Sequence, residues 1–111
     1  MTFDLHIYAK DKKTIAKTYS VESFDLSFGV IRNIMKVLKP DELDISDKKK
    51  VGFALLGAWD QVEPLLMDMF PGVTSDELAN AHMSNIIDNF KKAFAYLARE
   101  INAFGDDTEK N

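Results

Sequence analysis

The side chains that most often carry out chemistry are sparse in this sequence. It contains no cysteine, which excludes disulfides, thiolate zinc sites and cysteine nucleophiles. Its two histidines are His6 and His82, and neither has an acidic residue or a second histidine three or four positions away on a predicted helix. A histidine metal site would therefore have to be assembled from distant parts of the chain. We interpret His6 as a solvent-facing strand residue and His82 as a capping or surface residue.

The motifs of common enzymes are also absent. The sequence has no H-E-x-x-H or E-x-x-H, no glycine-rich phosphate loop and no serine in a G-x-S-x-G context. Asp60 and Glu63 are three residues apart on a predicted helix, where two carboxylates could act as acid and base. Polar surface on a helix explains them equally well, and Asp68 points elsewhere. We predict a non-enzymatic protein with no catalytic, cofactor-binding or metal-ligating residue; turnover lost on Asp60→Asn would overturn this.

Composition and charge narrow the class further. The chain has 111 residues, a net charge of -4 and 46% hydrophobic residues, which is typical of one globular domain. An acidic chain is poorly suited to bind phosphate backbones, so we expect no nucleic-acid partner. Lys48 to Lys50 form the only dense basic run, interpreted as a solvated helix start. The opening ten residues lack a long apolar stretch, and we expect neither secretion nor membrane insertion.

The first 21 residues predict a β-hairpin, at residues 3–21. Phe3, Leu5 and Ile7 alternate with polar residues, as in a half-buried strand. After a polar break, Ile15, Tyr19 and Val21 share one parity in a second β-rich segment. Two strands alone are marginally stable, so the apolar face of the hairpin must pack on helices or on another subunit.

Apolar residues spaced three and four apart predict helices at about 26–39, 47–70, 75–81 and 84–104. Asp25 or Ser27 provides the first N-cap, and Pro40 enforces the end of that helix. Thr74 begins a T-x-x-E capping box. Ser84 caps the last helix, Gly105 ends it, and the polar residues 106–111 are expected to be disordered.

The segment 47–70 is apolar on nearly all sides, so it is either central or faces a partner. Gly57 and Pro64 weaken a continuous helix, which predicts a kink between Asp60 and Glu63 or a division into two helices. The fold class is therefore α+β and mostly helical, with the hairpin packed on a bundle of four to five helices in one domain, residues 1–105.

Large apolar residues on these helices are candidates for core packing or for contacts with a partner or a second subunit. The candidate contacts are Phe53, Trp59, Leu66, Phe70, Phe90, Phe94, Leu97 and Phe104. Aromatic residues and methionine are enriched in interface cores, and the helices carry more apolar surface than a small domain readily hides.

The run QVEPLLMDMFPGVTSDEL, residues 61–78, resembles the pattern F-P-G-[LV]-T-x-[DE]-E-L after an apolar helix in one protein family. The segments TYSVESFDLSFG and KVLKPDEL and the closing amphipathic helix extend the likeness over most of the chain. The family is that of the small tail assembly chaperones of long-tailed phages (siphoviruses) and prophages of Gram-positive bacteria.

The resemblance implies a non-enzymatic chaperone in the host bacterial cytoplasm that is absent from the mature virion. Members of the family bind the tape-measure protein, keep it soluble and promote polymerisation of tail tube protein around it. A longer form made by ribosomal frameshifting often helps to recruit the tail tube protein, and this chain would be the short form. We also expect a homo-oligomer, which a clean monomer mass at high micromolar concentration would contradict. The alternative is a small acidic adaptor or regulatory module that binds a basic partner protein.

Overall fold

The computed structural model describes residues 1–23, 26–39 and 42–109, with side chains described as far as residue 100. The elements are β1 (Thr2–Tyr8), β2 (Ile15–Glu22), α1 (Phe28–Leu38), α2 (Lys48–Gly57), α3 (Trp59–Met69), α4 (Ser75–Leu78) and α5 (Met83–Glu109). β1 and β2 pair as an antiparallel hairpin, and α5 packs on β1. The predicted α+β fold, a hairpin on a helical bundle, is confirmed.

One face of the hairpin is part of the core. Phe3 is paired with Val21 and Leu5 with Tyr19 in the strand register, and Phe3 and Leu5 are fully buried. The alternation of apolar and polar residues in β1 therefore does what the sequence predicts. It places one side of the strand against the helices and leaves the other side polar.

A β-bulge changes the register near the turn. Ile7 and Tyr8 are adjacent in β1, but their partners on β2 are two residues apart, so that Tyr8 pairs with Ile15 and Ala16 is the extra residue. One added residue moves the following side chains to the opposite face. Ile15 is accordingly exposed, and the prediction that it shares a face with Tyr19 is wrong.

The apolar segment 47–70 forms two helices. α2 ends and α3 begins at Ala58, which has φ −117° and ψ 25° and is neither regular helix nor strand. The predicted division into two helices is confirmed, but the break lies directly after Gly57, a poor helix former, and not between Asp60 and Glu63. Pro64 is accommodated inside α3, although its ring removes one backbone hydrogen bond.

The predicted helix signals around α1 and α4 act locally. The Ser27 hydroxyl accepts a hydrogen bond from the backbone N–H of Val30 at the start of α1, and Lys39 takes a left-handed conformation at its end, with φ 46°. Asp25 and Pro40, the other predicted signals, lie outside the described residues. Thr74 and Glu77 form the predicted reciprocal capping box at α4.

α5 is longer than predicted at both ends. It begins at Met83 rather than Ser84, because the His82 carbonyl already accepts the backbone N–H groups of Asn85 and Ile86. It continues to Glu109, past the predicted end at Gly105. A single glycine costs a helix about 1 kcal/mol and does not have to end it. The helix thus covers residues 106–109, where the sequence predicts disorder, and residues 110–111 lie outside the described residues.

The core lies between the inner face of the hairpin and the helices. α1 packs on α3, and α2 packs on both α3 and α5. The largest fully buried apolar side chains are Phe3, Phe70, Phe90, Leu5, Ile34, Leu55, Leu66, Met69, Val51 and Val62. They come from β1, from the helices α1, α2, α3 and α5, and from Phe70 directly after α3, so a single core joins the hairpin to the helices.

Candidate partner-binding surface

The structure divides the predicted contact residues into core and surface. Leu66, Phe70 and Phe90 are fully buried, and Phe94 and Leu97 are nearly so. In this conformation these five side chains pack within the chain and offer no surface to a partner. Phe104, also a predicted contact residue, lies beyond residue 100, the last residue whose side chain is described.

Phe53 is the predicted contact residue that the structure leaves on the surface, with 74% of its side chain exposed. Leu56, three residues further along α2, is 57% exposed. Residues three apart on a helix are neighbours, so the two side chains form one apolar patch. Full burial of such a side chain contributes about 1.5–3 kcal/mol of stabilisation. Phe53 and Leu56 are mostly exposed in the single chain, so this stabilisation is available to a contact with a partner.

The sequence also carries a signal for Leu56, which is not among the predicted contact residues. α2 is apolar on several sides, and a helix on the outside of a bundle buries only one stripe. Val51 and Leu55 are the fully buried members of that stripe. Apolar residues of α2 that lie off it, Phe53 and Leu56, must then face outward or a partner.

The apolar patch borders an open groove between α2 and the start of α5. Lys48, Lys49, Gly52, Phe53, Leu56, Ser84 and Ile87 line this groove, which encloses about 670 Å³. A Cβ atom on Gly52 would lie 3.2 Å from Cδ1 of Ile87. The missing side chain at Gly52 therefore allows α2 and α5 to approach closely and sets the floor of the groove.

The charge of the groove is opposite to that of the whole chain. Its lining includes Lys48 and Lys49 and no carboxylate, whereas the chain carries a net charge of -4. The Lys48 ammonium lies 3.2 Å from a carboxylate oxygen of Asp88 on α5. No salt bridge among the described residues engages Lys49, so its charge remains directed to solvent beside the apolar patch.

Trp59 has a structural role at the junction of α3 and α4. Its indole Nε1 donates a hydrogen bond to Oε2 of Glu63, 3.1 Å away, and the Ser75 hydroxyl donates to Oε1 of the same carboxylate. Glu63 thus links the two helices, while Asp60, its proposed acid/base companion, is exposed. The partly buried Trp59 packs against the core and is not part of the groove.

The histidines fasten the hairpin. The His82 ring stacks on Tyr8 with 3.7 Å between centroids, and its Nε2 lies 3.1 Å from the Lys12 carbonyl oxygen in the hairpin turn. His6 Nδ1 lies 3.0 Å from the Thr18 hydroxyl across the strands.

Within the described part of the chain, no three metal-ligating side chains are grouped. No helix there is long and apolar enough to cross a membrane.

A second exposed apolar pair lies on α1. Phe28 and Met35 are both on the surface, and their separation of seven residues places them on one side of the helix. A groove between α1 and α3 is lined by Lys36, Val37 and Leu65 among others, but neither Phe28 nor Met35 is part of its lining. The groove between α2 and α5 is therefore the better candidate site, and the α1 pair provides a matched control.

No protein-family model, curated protein or solved structure matches this chain.

Two asparagines on α5 cover the outer edge of β1, an arrangement that sequence reasoning missed. The Asn85 side chain accepts the backbone N–H of His6 and donates to the Asp4 carbonyl, at 2.9 and 3.1 Å. Asn89, which is 2% exposed, donates to the same carbonyl at 2.9 Å. These side-chain amides take the place of a neighbouring strand. They bond backbone groups on the edge of β1 that could otherwise pair with another chain. Their spacing of four residues was the available signal.

Asn85→Ala is expected to lower the free energy of unfolding by about 1–3 kcal/mol, because it leaves the N–H of His6 without its partner. Urea unfolding of the variant beside Asn33→Ala on α1 measures the difference. Equal stability of the two variants would contradict the role of Asn85 as a substitute strand.

A polar cluster joins β2 to α4. The Tyr19 hydroxyl donates to Oε1 of Glu77 at 2.6 Å, and the Lys17 ammonium lies 3.5 Å from Oε2. The hydrogen bond from Tyr19 lowers the pKa of Glu77 most, followed by that from the backbone N–H of Thr74 and the charge of Lys17. The folded chain therefore binds fewer protons at Glu77 than the unfolded chain when the pH is near the ordinary pKa of 4.5.

The contribution of this cluster to stability is present above pH 4.5 and is lost as the pH falls through the lower pKa of the folded state. Tyr19→Phe removes the largest cause of the shift. We expect the gap in free energy of unfolding between this variant and the wild type to be widest at neutral pH and to narrow in acid. Urea titrations over a pH series, with Tyr96→Phe as control, test this; a gap that widens in acid would refute it.

Proposed function

We propose that this chain is a non-enzymatic tail assembly chaperone that binds a tape-measure protein, keeps it soluble and promotes polymerisation of tail tube protein around it. The observation that carries the proposal is the exposed pair Phe53 and Leu56 beside an open groove. The family resemblance of residues 61–78 supplies the identity of the partner.

The exposed surface suits a helical partner. A tape-measure protein has a long helical body, and a helix buries an apolar stripe when it lies in a groove between two other helices. The groove between α2 and α5 is such a binding surface, and Phe53 and Leu56 are its large apolar anchor residues. Covering the partner's stripe removes the apolar surface through which unassembled copies would aggregate.

The wider assembly follows from the same proposal. The chain acts in the host bacterial cytoplasm and is left out of the finished virion. Contact with tail tube protein is made through a longer frameshifted form, and the short form associates with copies of itself. Neither contact needs an enzyme or a cofactor.

Co-expression tests the proposal. The chain is produced together with the candidate tape-measure protein, the long helical protein encoded beside its gene, and the soluble fraction of that partner is measured with and without the chain. We expect a severalfold larger soluble fraction and several copies of the chain in the affinity-purified complex. A partner that precipitates in both cases and binds no chain would refute the proposal.

The acidic adaptor remains the alternative function, supported by the net charge of -4. An adaptor of this kind binds a basic partner through charge, so its binding weakens strongly as salt rises. Binding through the apolar pair persists in salt and is lost when that pair is replaced. The salt dependence of the purified complex therefore distinguishes the two functions.

A further inference from the structure

We propose that the groove between α2 and α5 binds an acidic amphipathic helix that runs antiparallel to α2, in which an apolar pair is followed one to two turns later by a carboxylate. The inference rests on the proposed function only for the identity of the protein that carries this helix. The chemistry of the helix is inferred from the groove itself.

The spacing of three residues on α2 determines where the partner helix must carry its apolar and charged side chains. Lys49, Phe53 and Leu56 follow one another at intervals of four and three residues, so they lie along one stripe of the helix. With a rise of 1.5 Å per residue, Lys49 and Leu56 are about 10 Å apart along the axis. A helix lying antiparallel to α2 then places apolar anchors at i and i+3 against Leu56 and Phe53, and a carboxylate at i+7, one to two turns further on, against Lys49.

The positive charge of the groove favours a negatively charged partner helix. Both charged residues of its lining are lysines, and one of them, Lys48, already contacts Asp88. Lys49 has no such salt bridge among the described residues. A carboxylate placed beside it gains an ion pair next to apolar surface, whereas a lysine or arginine there would be repelled.

An anionic membrane surface also combines charge with apolar contact, but the rest of the molecule disfavours it. The net charge of -4 repels an extended anionic surface, because such a surface meets the whole face of the protein. A single helix meets only the groove. The observations therefore favour a peptide segment over a lipid surface.

The test is a binding titration with a designed peptide. A fluorescein-labelled, alanine-rich peptide of about 20 residues, beyond the length at which isolated helices are marginal in water, carries two leucines at i and i+3 and two glutamates from i+7. Fluorescence anisotropy measures its affinity for the full chain. The control peptide has the same composition in scrambled order, and vesicles rich in phosphatidylserine are titrated in parallel.

Lys49→Glu is expected to weaken peptide binding by about three- to tenfold, as reversal of one partly exposed ion pair does. A peptide with lysines in place of its glutamates should recover binding to that variant. Lys10→Glu, on the exposed hairpin turn, is the matched control and should leave affinity unchanged. Leu56→Ser should reduce the affinity for the acidic peptide at least tenfold.

Equal affinities of Lys49→Glu and Lys10→Glu for the acidic peptide would overturn the inference, as would binding of the scrambled peptide or a preference for vesicles. A solubilised tape-measure protein whose binding ignores Lys49→Glu would leave the chaperone function standing and refute the acidic helix. If the chain binds the acidic peptide but has no effect on the tape-measure protein, the acidic-helix inference stands and the chaperone function is refuted.

Discussion

Phe70→Ala is expected to lower the free energy of unfolding by about 3–5 kcal/mol, the usual cost of removing a fully buried phenylalanine ring. Phe70 follows the last residue of α3, has no exposed surface and belongs to the core shared by the hairpin and the helices. Domains of this size have a total stability of only about 5–15 kcal/mol. Urea unfolding followed by circular dichroism measures the loss.

Phe53→Ala provides the matched control for this prediction, since both changes remove the same ring. Phe53 is 74% exposed, and surface substitutions usually change stability by less than about 0.5 kcal/mol. A loss at Phe53 as large as that at Phe70 would mean that α2 buries Phe53 and that the groove is not a surface of the folded chain.

The second large effect concerns binding. Phe53→Ser combined with Leu56→Ser should weaken the complex with the tape-measure protein at least tenfold, because loss of the anchor residues of an interface costs about 2 kcal/mol or more. The free energy of unfolding should remain close to that of the wild type. Affinity is measured by calorimetry on the purified proteins, and stability by urea unfolding of the same samples.

The control for this double variant is Phe28→Ser combined with Met35→Ser. It removes a comparable exposed pair from α1 and leaves the groove intact. Equal weakening by both double variants would show that binding depends on exposed apolar area in general. Such a result would argue against the groove between α2 and α5 as the site.

Local signals in the sequence predicted much of the fold. The alternation of Phe3, Leu5 and Ile7 and the capping box at Thr74 depend on residues close together in the chain, so their outcomes follow from short-range geometry. The same reasoning identified the α+β arrangement, because a hairpin alone cannot bury its apolar face.

Features that depend on contacts between distant residues were not predicted. The bulge at Ala16 lies opposite the part of β1 whose other edge is held by Asn85 and by the backbone carbonyl of Asn80. The break at Ala58 follows Gly57, a poor helix former, and it separates α2, which packs on α5, from α3, which packs on α1. Neither partner is visible from the neighbouring sequence.

The candidate site shows the same limit. Apolar residues on helices such as Phe53, Phe70 and Phe90 look alike in the sequence, and periodicity does not tell which of them the fold buries. Only the positions of α2, α3 and α5 in the bundle separate the exposed Phe53 from the buried Phe70 and Phe90. Lys49 likewise becomes a candidate binding residue only because the fold places it beside the apolar groove.

The most direct test of the chaperone function is the soluble fraction of the tape-measure protein when it is co-expressed with three forms of the chain. These are the wild type, the groove variant with serine at Phe53 and Leu56, and the α1 variant with serine at Phe28 and Met35. We predict a soluble partner with the wild type and the α1 variant, and a precipitated partner with the groove variant. A partner that remains equally soluble with all three forms, or with none, would contradict the proposed role of the groove.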